Sequence, residues 1–131
     1  MILVIGGYAA GKKEYVRSLG YQEEDFTTDP WEEKPVVYGL ETLAAQAGEE
    51  WESLVPGLVE KEVVICQEVG SGVIPLEKEA RQMREYTGRL CTVLAEQADR
   101  VVRLFCGIPT IIKERERSEE HTSELQSPQN L

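Results

Sequence analysis

"ILVIGGYAAGKK", residues 2–13, is the stretch of sequence that decides the fold. Its first four residues form a continuous apolar run, which is typical of a strand buried on both faces of a parallel sheet. Two glycines end the run, and a segment compatible with a helix follows from Lys12 to Leu19, closed by Gly20. A strand, a glycine-rich turn and a helix in this order predict the first unit of an α/β domain.

Further strands and helices alternate along the chain. The apolar runs "VVICQ" (Val63–Gln67) and "RVVRLFC" (Arg100–Cys106) predict two more strands. Between them, apolar or small residues recur at three- and four-residue steps and predict one long helix over residues 76–98. We also expect a helix from about Leu40 and helical structure before Pro56 with turns after it. This alternation predicts a mainly parallel sheet that binds ligands outside the carboxyl ends of its strands.

Length and charge restrict the classes of function. The chain has 131 residues and a formal net charge of −10, which suits one compact domain over residues 1–116. Such an acidic chain lacks the clustered Lys and Arg needed to bind nucleic acid. No apolar run reaches the ~18 residues of a membrane span, and the N-terminus lacks the features of a signal peptide. We therefore expect a cytoplasmic protein without a nucleic-acid partner; a homo-oligomer is compatible with the sequence.

Two other segments have simple interpretations. Tyr21–Pro35 is acidic with proline breakers and is predicted to be an exposed connection. Arg117–Leu131 is polar and without periodicity, and it resembles a translated sequencing adapter. We predict that this tail is non-native and disordered, although it carries His121, the only histidine.

The three cysteines predict no metal cluster and no disulfide framework. Cys66, Cys91 and Cys106 are far apart, and each lies in an apolar run. Free cysteines in such runs are usually buried, so we expect three buried thiols.

The glycine-rich loop matches a phosphate-binding pattern. Gly6, Gly11 and Lys12 fit G-x-x-x-x-G-K, in which backbone N–H groups surround phosphates and the lysine contacts the terminal ones. The predicted nucleotide-binding residues are Gly6, Gly7, Tyr8, Ala9, Ala10, Gly11, Lys12 and Lys13, with Lys12 also catalytic. Lys13 stands where a Ser or Thr would bind Mg²⁺, and an ammonium has no lone pair for a metal. The alternative is an ordinary strand-to-helix turn with a surface lysine.

Other candidate residues follow the second strand. Glu68 comes directly after "VVICQ", where a carboxylate can hold Mg²⁺ or accept a proton from an attacking hydroxyl; the alternative is a surface glutamate. Gly70 and Gly72 permit a ligand to approach the backbone closely, or they form a tight turn. Arg84 and Arg89 on the long helix can place guanidinium groups beside a phosphate, or they belong to a solvated face with pairs such as Glu85–Arg89.

Four stretches together resemble the cobinamide kinase / cobinamide-phosphate guanylyltransferase family of cobalamin biosynthesis, as a shortened member. They are "ILVIGGYAAGK", "EVGSGVIP", "RQMREYTGRL" and "RVVRLFCGIPTIIK". The resemblance implies a three-layer P-loop nucleotide-binding α/β fold. It also implies a transferase that uses ATP or GTP with Mg²⁺ to phosphorylate adenosylcobinamide, a small-molecule corrinoid, and then transfers a guanylyl group to the product.

The resemblance also implies roles for individual residues. Phosphate binding falls on residues 6–13, and a place near the active site falls on Glu68, Gly70, Gly72, Arg84 and Arg89. The chain departs from the family at Lys13 and in its short segment before "VVICQEVG", which has no histidine to accept the nucleotide. We therefore expect an adenosylcobinamide kinase, and we expect no guanylyl transfer through a covalent histidine intermediate. The alternative is a degenerate member that binds a nucleotide or corrinoid without turnover.

Overall fold

The fold is a six-stranded sheet with helices on both faces, seen in a computed structural model that describes residues 1–7, 9–68 and 77–115. The strands are β1 (Ile2–Gly6), β2 (Phe26–Thr27), β3 (Val36–Val37), β4 (Val63–Gln67), β5 (Arg100–Phe105) and β6 (Ile108–Glu114). The helices are α1 (Lys12–Ser18), α2 (Leu40–Ala47), α3 (Val55–Val59) and α4 (Lys78–Gln97), with 3-10 helices at Glu23–Asp25 and Gly48–Leu54.

The strands lie in the order β2-β3-β4-β1-β5-β6. The first five are parallel, and β6 pairs with β5 in the antiparallel direction. The predicted α/β class and mainly parallel sheet are therefore confirmed. The two strands on either side of β1 are those that the apolar runs predicted, so the carboxyl ends of β4, β1 and β5 lie side by side.

Alternate residues of the central strands fill two cores. Leu3 and Val64 face a core that α2, α3 and α4 cover, whereas Val4 and Ile65 face a core that contains Val16 of α1. Burial on both faces is the reason why these strands read as continuous apolar runs. The long predicted helix is confirmed, with Thr87, Leu90 and Leu94 buried.

Two local predictions are corrected by the structure, and one is confirmed. The connection at residues 21–35 contains the short strand β2, whereas the helix expected from about Leu40 is confirmed as α2, with the two-residue strand β3 before it. The chain after Pro56 is helical rather than turning, because proline needs no N–H partner in the first turn and Pro56 lies in the first turn of α3. Strands of two residues carry too little pattern to be recognised in the sequence.

The prediction of three buried free thiols is wrong. Cys66 of β4 and Cys91 of α4 are joined as a disulfide across the core face of the sheet. Cys106 is exposed, because it lies in the tight turn between β5 and β6 with a φ of +52°. Helix packing over a strand brings together cysteines 25 residues apart, which their spacing in the sequence did not indicate.

Several predictions fall outside the described residues. They concern Tyr8, Gly70, Gly72 and the tail from Arg117, which stay predictions. Within the described ranges, no helix combines the length and apolar character needed to cross a bilayer.

Candidate functional site

The glycine-rich loop between β1 and α1 needs glycine for two different reasons. A Cβ on Gly6 would stand 3.0 Å from the carbonyl oxygen of Leu104 on the neighbouring strand. Gly11 has a φ of +90°, a left-handed conformation that glycine adopts without strain. The sequence pattern therefore marks positions where the backbone itself requires glycine.

The loop is stabilised by hydrogen bonds within it and by one from the neighbouring β5–β6 turn. The carbonyl oxygen of Gly7 accepts hydrogen bonds from the backbone N–H of Ala10, at 3.2 Å, and from Nζ of Lys12, at 2.6 Å. The N–H of Gly107, in the β5–β6 turn, donates to the carbonyl oxygen of Ala10 at 3.1 Å. The antiparallel hairpin that the sequence did not predict thus supports the loop.

Lys12 is a partly buried cation within this loop. Burial lowers the pKa of the Lys12 ammonium below its usual value, while the nearby carboxylates of Glu41 and Glu14 act to raise it. Desolvation disfavours the charged form of the Lys12 ammonium, and an anion bound beside it would stabilise that charged form. Lys12 lies at the start of α1 with its ammonium bonded to the loop carbonyl of Gly7, and its predicted contact with phosphates stays a prediction.

The Lys13 side chain contacts an aromatic ring. Its Nζ lies 3.8 Å from the centroid of the Tyr38 ring, at the end of β3. Phe26 packs behind Tyr38 with ring centroids 6.3 Å apart, and the guanidinium of Arg17 lies over Phe26. Cation–π contacts of this kind stabilise the approach of α1 to the edge of the sheet.

A cavity of about 680 Å³ opens beside the loop, at the carboxyl ends of the parallel strands. This volume lies within the range of small-molecule sites. Its lining comes from the loop and α1, from the ends of β2, β3 and β4, and from α2: Ala9, Ala10, Gly11, Lys12, Lys13, Glu14, Thr28, Tyr38, Gly39, Glu41, Thr42, Leu43, Gln46, Ile65 and Gln67. The described residues of the predicted nucleotide-binding loop from Ala9 to Lys13 therefore share one cavity.

Glu68 lies at the predicted edge of the sheet but is paired. Its two carboxylate oxygens accept hydrogen bonds from Nε and Nη2 of Arg103, both at 3.0 Å, and its N–H donates to the carbonyl oxygen of Gly6 at 2.7 Å. Glu68 does not line the cavity. The structure thus fixes Glu68 beside β1 and β5 and leaves its predicted role untested.

The two predicted arginines lie on α4, away from the cavity lining. Arg89 is exposed and forms an ion pair with Glu85, four residues earlier. That pair matches the alternative interpretation, a solvated face. Arg84 lies on the same helix and is half-buried. The structure does not bring either arginine to the loop.

Sequence reasoning missed the polar residues that α2 and the β3 end contribute. Tyr38, Glu41, Thr42 and Gln46 line the cavity, yet the sequence placed them in an uncertain strand-to-helix segment. The signal that could have found them is Gly39, whose φ of +75° marks the sharp entry into α2 directly after β3. Recognising a strand before that glycine would have placed the first turn of α2 at the ligand-binding edge.

Comparison with known proteins gives one match to a family model. The family described as "Cobinamide kinase / cobinamide phosphate guanyltransferase" matches residues 32–112. The matched range covers more than half of the chain and extends from the residues before β3 into β6. It begins after the glycine-rich loop, so the interpretation of that loop rests on its own sequence and geometry. No curated protein matches this chain.

Proposed function

Because this chain belongs to the cobinamide kinase / cobinamide phosphate guanyltransferase family, we propose that it is a nucleoside-triphosphate-dependent adenosylcobinamide kinase of cobalamin biosynthesis or salvage. The observation that carries the proposal is the loop at residues 6–13, with Lys12 partly buried inside it and a cavity beside it. We interpret the fold as a P-loop nucleotide-binding fold in which ATP or GTP occupies this cavity.

The chemistry we propose is in-line phosphoryl transfer. The hydroxyl oxygen of the corrinoid's aminopropanol group attacks the terminal phosphorus, the bond to the bridging oxygen breaks, and the nucleoside diphosphate leaves. Loop N–H groups and Lys12 stabilise the negative charge on the phosphates. A carboxylate accepts the hydroxyl proton, and Glu68 is the residue that the sequence suggests for this step.

Glu68 can act in this way only if its pair with Arg103 opens or is shared. Both of its oxygens are engaged by that guanidinium. Opening a half-exposed ion pair costs little, because such pairs contribute about 0–1 kcal/mol. Gly70, Gly72, Arg84 and Arg89 remain our proposed corrinoid-binding residues on the family resemblance alone.

The described residues can supply a carboxylate ligand to Mg²⁺ but do not form a complete metal site. The described residues contain no group of three or more His, Cys, Asp and Glu side chains that could hold a metal by themselves. Nucleotide enzymes commonly hold Mg²⁺ with one or two carboxylates together with substrate phosphates. When bound, Mg²⁺ would neutralise phosphate charge, and a single carboxylate of this chain would suffice as its protein ligand.

Guanylyl transfer is not part of the proposal. Residues 1–116 contain no histidine, so the expected nucleophile for a covalent nucleotide intermediate is absent from them. A second candidate function, nucleotide or corrinoid binding without turnover, is favoured by Lys13, which supplies no hydroxyl to a metal.

One assay separates the two candidates. The purified chain is incubated with ATP or GTP, Mg²⁺ and adenosylcobinamide, and the corrinoid is analysed for added phosphate, with Lys12→Ala as the control. Phosphorylated corrinoid that disappears in the variant supports the kinase. If the chain binds the nucleotide but forms no product, it is a binding protein rather than a kinase. If it neither binds the nucleotide nor forms phosphorylated corrinoid, both candidate functions are contradicted.

A further inference from the structure

Two acidic side chains line the cavity, and they differ in their surroundings. Glu14 of α1 is exposed and lies 3.8 Å from Nη1 of Arg17. Glu41, in the first turn of α2, is half-buried. No side chain of the described residues forms a hydrogen bond or an ion pair with the Glu41 carboxylate. Glu41 and Glu14 are both close enough to Lys12 to act on its pKa.

A lone carboxylate in this place opposes the binding of a bare triphosphate. The charged residues of the cavity are Lys12, Lys13, Glu14 and Glu41, so their formal charges cancel. The Lys13 ammonium lies against Tyr38, whereas the Lys12 ammonium is bonded to a carbonyl of the loop. Because charges interact strongly where water is partly excluded, Glu41 would repel the phosphates that Lys12 attracts. A cation between Glu41 and the phosphates would change this repulsion into attraction.

The loop itself cannot supply a protein ligand for that cation. Position 13 carries an ammonium in place of the hydroxyl that the phosphate-binding pattern normally provides, so a ligand must come from another element. Glu68 does not line the cavity, and both of its oxygens are bonded to Arg103. Glu41 and Glu14 are the described carboxylates that line it.

We infer that Glu41 is the carboxylate that holds, directly or through water, the divalent cation accompanying a nucleoside triphosphate in this cavity. The inference rests on the proposed function, because it needs a triphosphate beside Lys12. It moves the metal-binding role from the end of β4, where the sequence suggested it, to the first turn of α2. Triphosphate binding should then depend on magnesium through Glu41.

The test is calorimetric titration of ATP and of GTP into the wild type, Glu41→Gln, Glu14→Gln and Glu68→Gln, each with Mg²⁺ and with EDTA. The quantity compared is the ratio of the dissociation constants without and with Mg²⁺. Glu41→Gln should reduce this ratio by about tenfold or more, because it removes both the ligand and the repulsion. It should also tighten binding in EDTA, which a merely unfolded variant cannot do.

Glu14→Gln is the comparison variant, since it makes the same change in the same cavity at a residue that is exposed and lies beside Arg17. Because Glu14 also acts on Lys12, this variant should change the ratio, but by less than about threefold, since its carboxylate is exposed and lies 3.8 Å from Arg17. A wild-type ratio in Glu41→Gln, or a loss confined to Glu68→Gln, overturns this inference alone. If the wild type binds neither triphosphate in either condition, the proposed function fails and the inference fails with it.

Discussion

Polar groups have different surroundings at the two ends of the parallel strands, which are called the amino edge, where the strands begin, and the carboxyl edge, where they end. At the amino edge, charged groups are neutralised by protein partners. The N-terminal ammonium of Met1 lies 2.7 Å from a carboxylate oxygen of Asp99, and the hydroxyl of Tyr21 donates to Glu62 at 2.6 Å. The connections between elements are thereby fixed at this edge.

At the carboxyl edge Glu68 is paired with Arg103, but other polar groups face a cavity. In the part of the chain that the structure describes, the Lys12 ammonium donates to one loop carbonyl, at 2.6 Å, and no side chain forms a hydrogen bond or an ion pair with the Glu41 carboxylate. A partly buried charged group loses some of its hydration, and a bound ligand or water can restore that stabilisation. The difference indicates that the amino edge stabilises the fold and that the carboxyl edge is built to bind.

The largest expected effect is at the amino edge, in Lys61→Met. Lys61 is only 8% exposed, and its Nζ donates to the carbonyl oxygens of Glu32 and Lys34. Losing these bonds leaves two carbonyls without their donor, so we expect the free energy of unfolding to fall by about 2–3 kcal/mol. Urea denaturation measures it.

Lys34→Met is the control for Lys61→Met, since the carbonyl of Lys34 is retained and only its exposed ion pair with Glu32 is lost. A change below about 0.5 kcal/mol in Lys61→Met would show that the amino edge does not depend on this lysine.

The next effect is at the carboxyl edge, in Lys12→Ala. We expect triphosphate binding to weaken by about 1–3 kcal/mol, the scale of a lost charge-assisted hydrogen bond. The free energy of unfolding should change less than in Lys61→Met, because Lys12 has one protein acceptor rather than two. Calorimetry and urea denaturation give the two values, with the exposed Lys78→Ala as control. If Lys12→Ala lowers the free energy of unfolding but keeps its affinity for the triphosphate, the carboxyl edge stabilises the fold rather than binding the ligand.

A smaller effect with a defined pH dependence is expected in Tyr21→Phe. Burial, and then the hydrogen bond to Glu62, raise the pKa of Tyr21 to about 12 from 10.0. Because the folded-state pKa is the higher one, this contribution to stability is complete below pH 10 and is lost as the pH rises towards 12. The variant should be about 1 kcal/mol less stable at neutral pH. The difference from wild type should shrink between pH 10 and 12; a constant difference would exclude the Tyr21 titration as its source.

The smallest effect is expected where Lys13 meets Tyr38. A double-mutant cycle with Lys13→Gln and Tyr38→Leu should give a coupling energy of about 0.5–1 kcal/mol, the usual strength of a cation–π contact. Thermal or urea unfolding of the four proteins measures it. Zero coupling would mean that Lys13 is free to turn into the loop.

The sequence predicted the parts of the fold that carry long patterns. β1, β4, β5 and α4 were recognisable because continuous apolar runs and a sustained helical period report burial directly. The two-residue strand β3 was not recognisable, since Val36–Val37 is too short to carry a pattern and only Tyr38 and Gly39 separate it from α2. Because β3 was not predicted, the residues of α2 that line the cavity were not predicted either.

The same limit applies to the candidate site. The position of Lys12 in the loop beside the cavity was predictable because its motif is local, whereas its role stays a prediction. Glu68 was placed correctly at the edge, but its pair with Arg103 depends on β5, which is 35 residues away in the sequence. Glu41 could be recognised only once α2 was seen beside the loop, because its role depends on tertiary neighbours rather than on spacing.

The most direct test of the account is the amide nitrogen–proton NMR spectrum of the chain, titrated with ATP and Mg²⁺. The account predicts that resonances of Gly7, Gly11, Lys12 and Glu41 at the carboxyl edge shift with saturation. Those of the amino edge, such as Tyr21 and Lys61, should stay in place. Shifts confined to the amino edge, or no shift at the loop at saturating nucleotide, would contradict the central claim that the loop and its cavity bind a triphosphate.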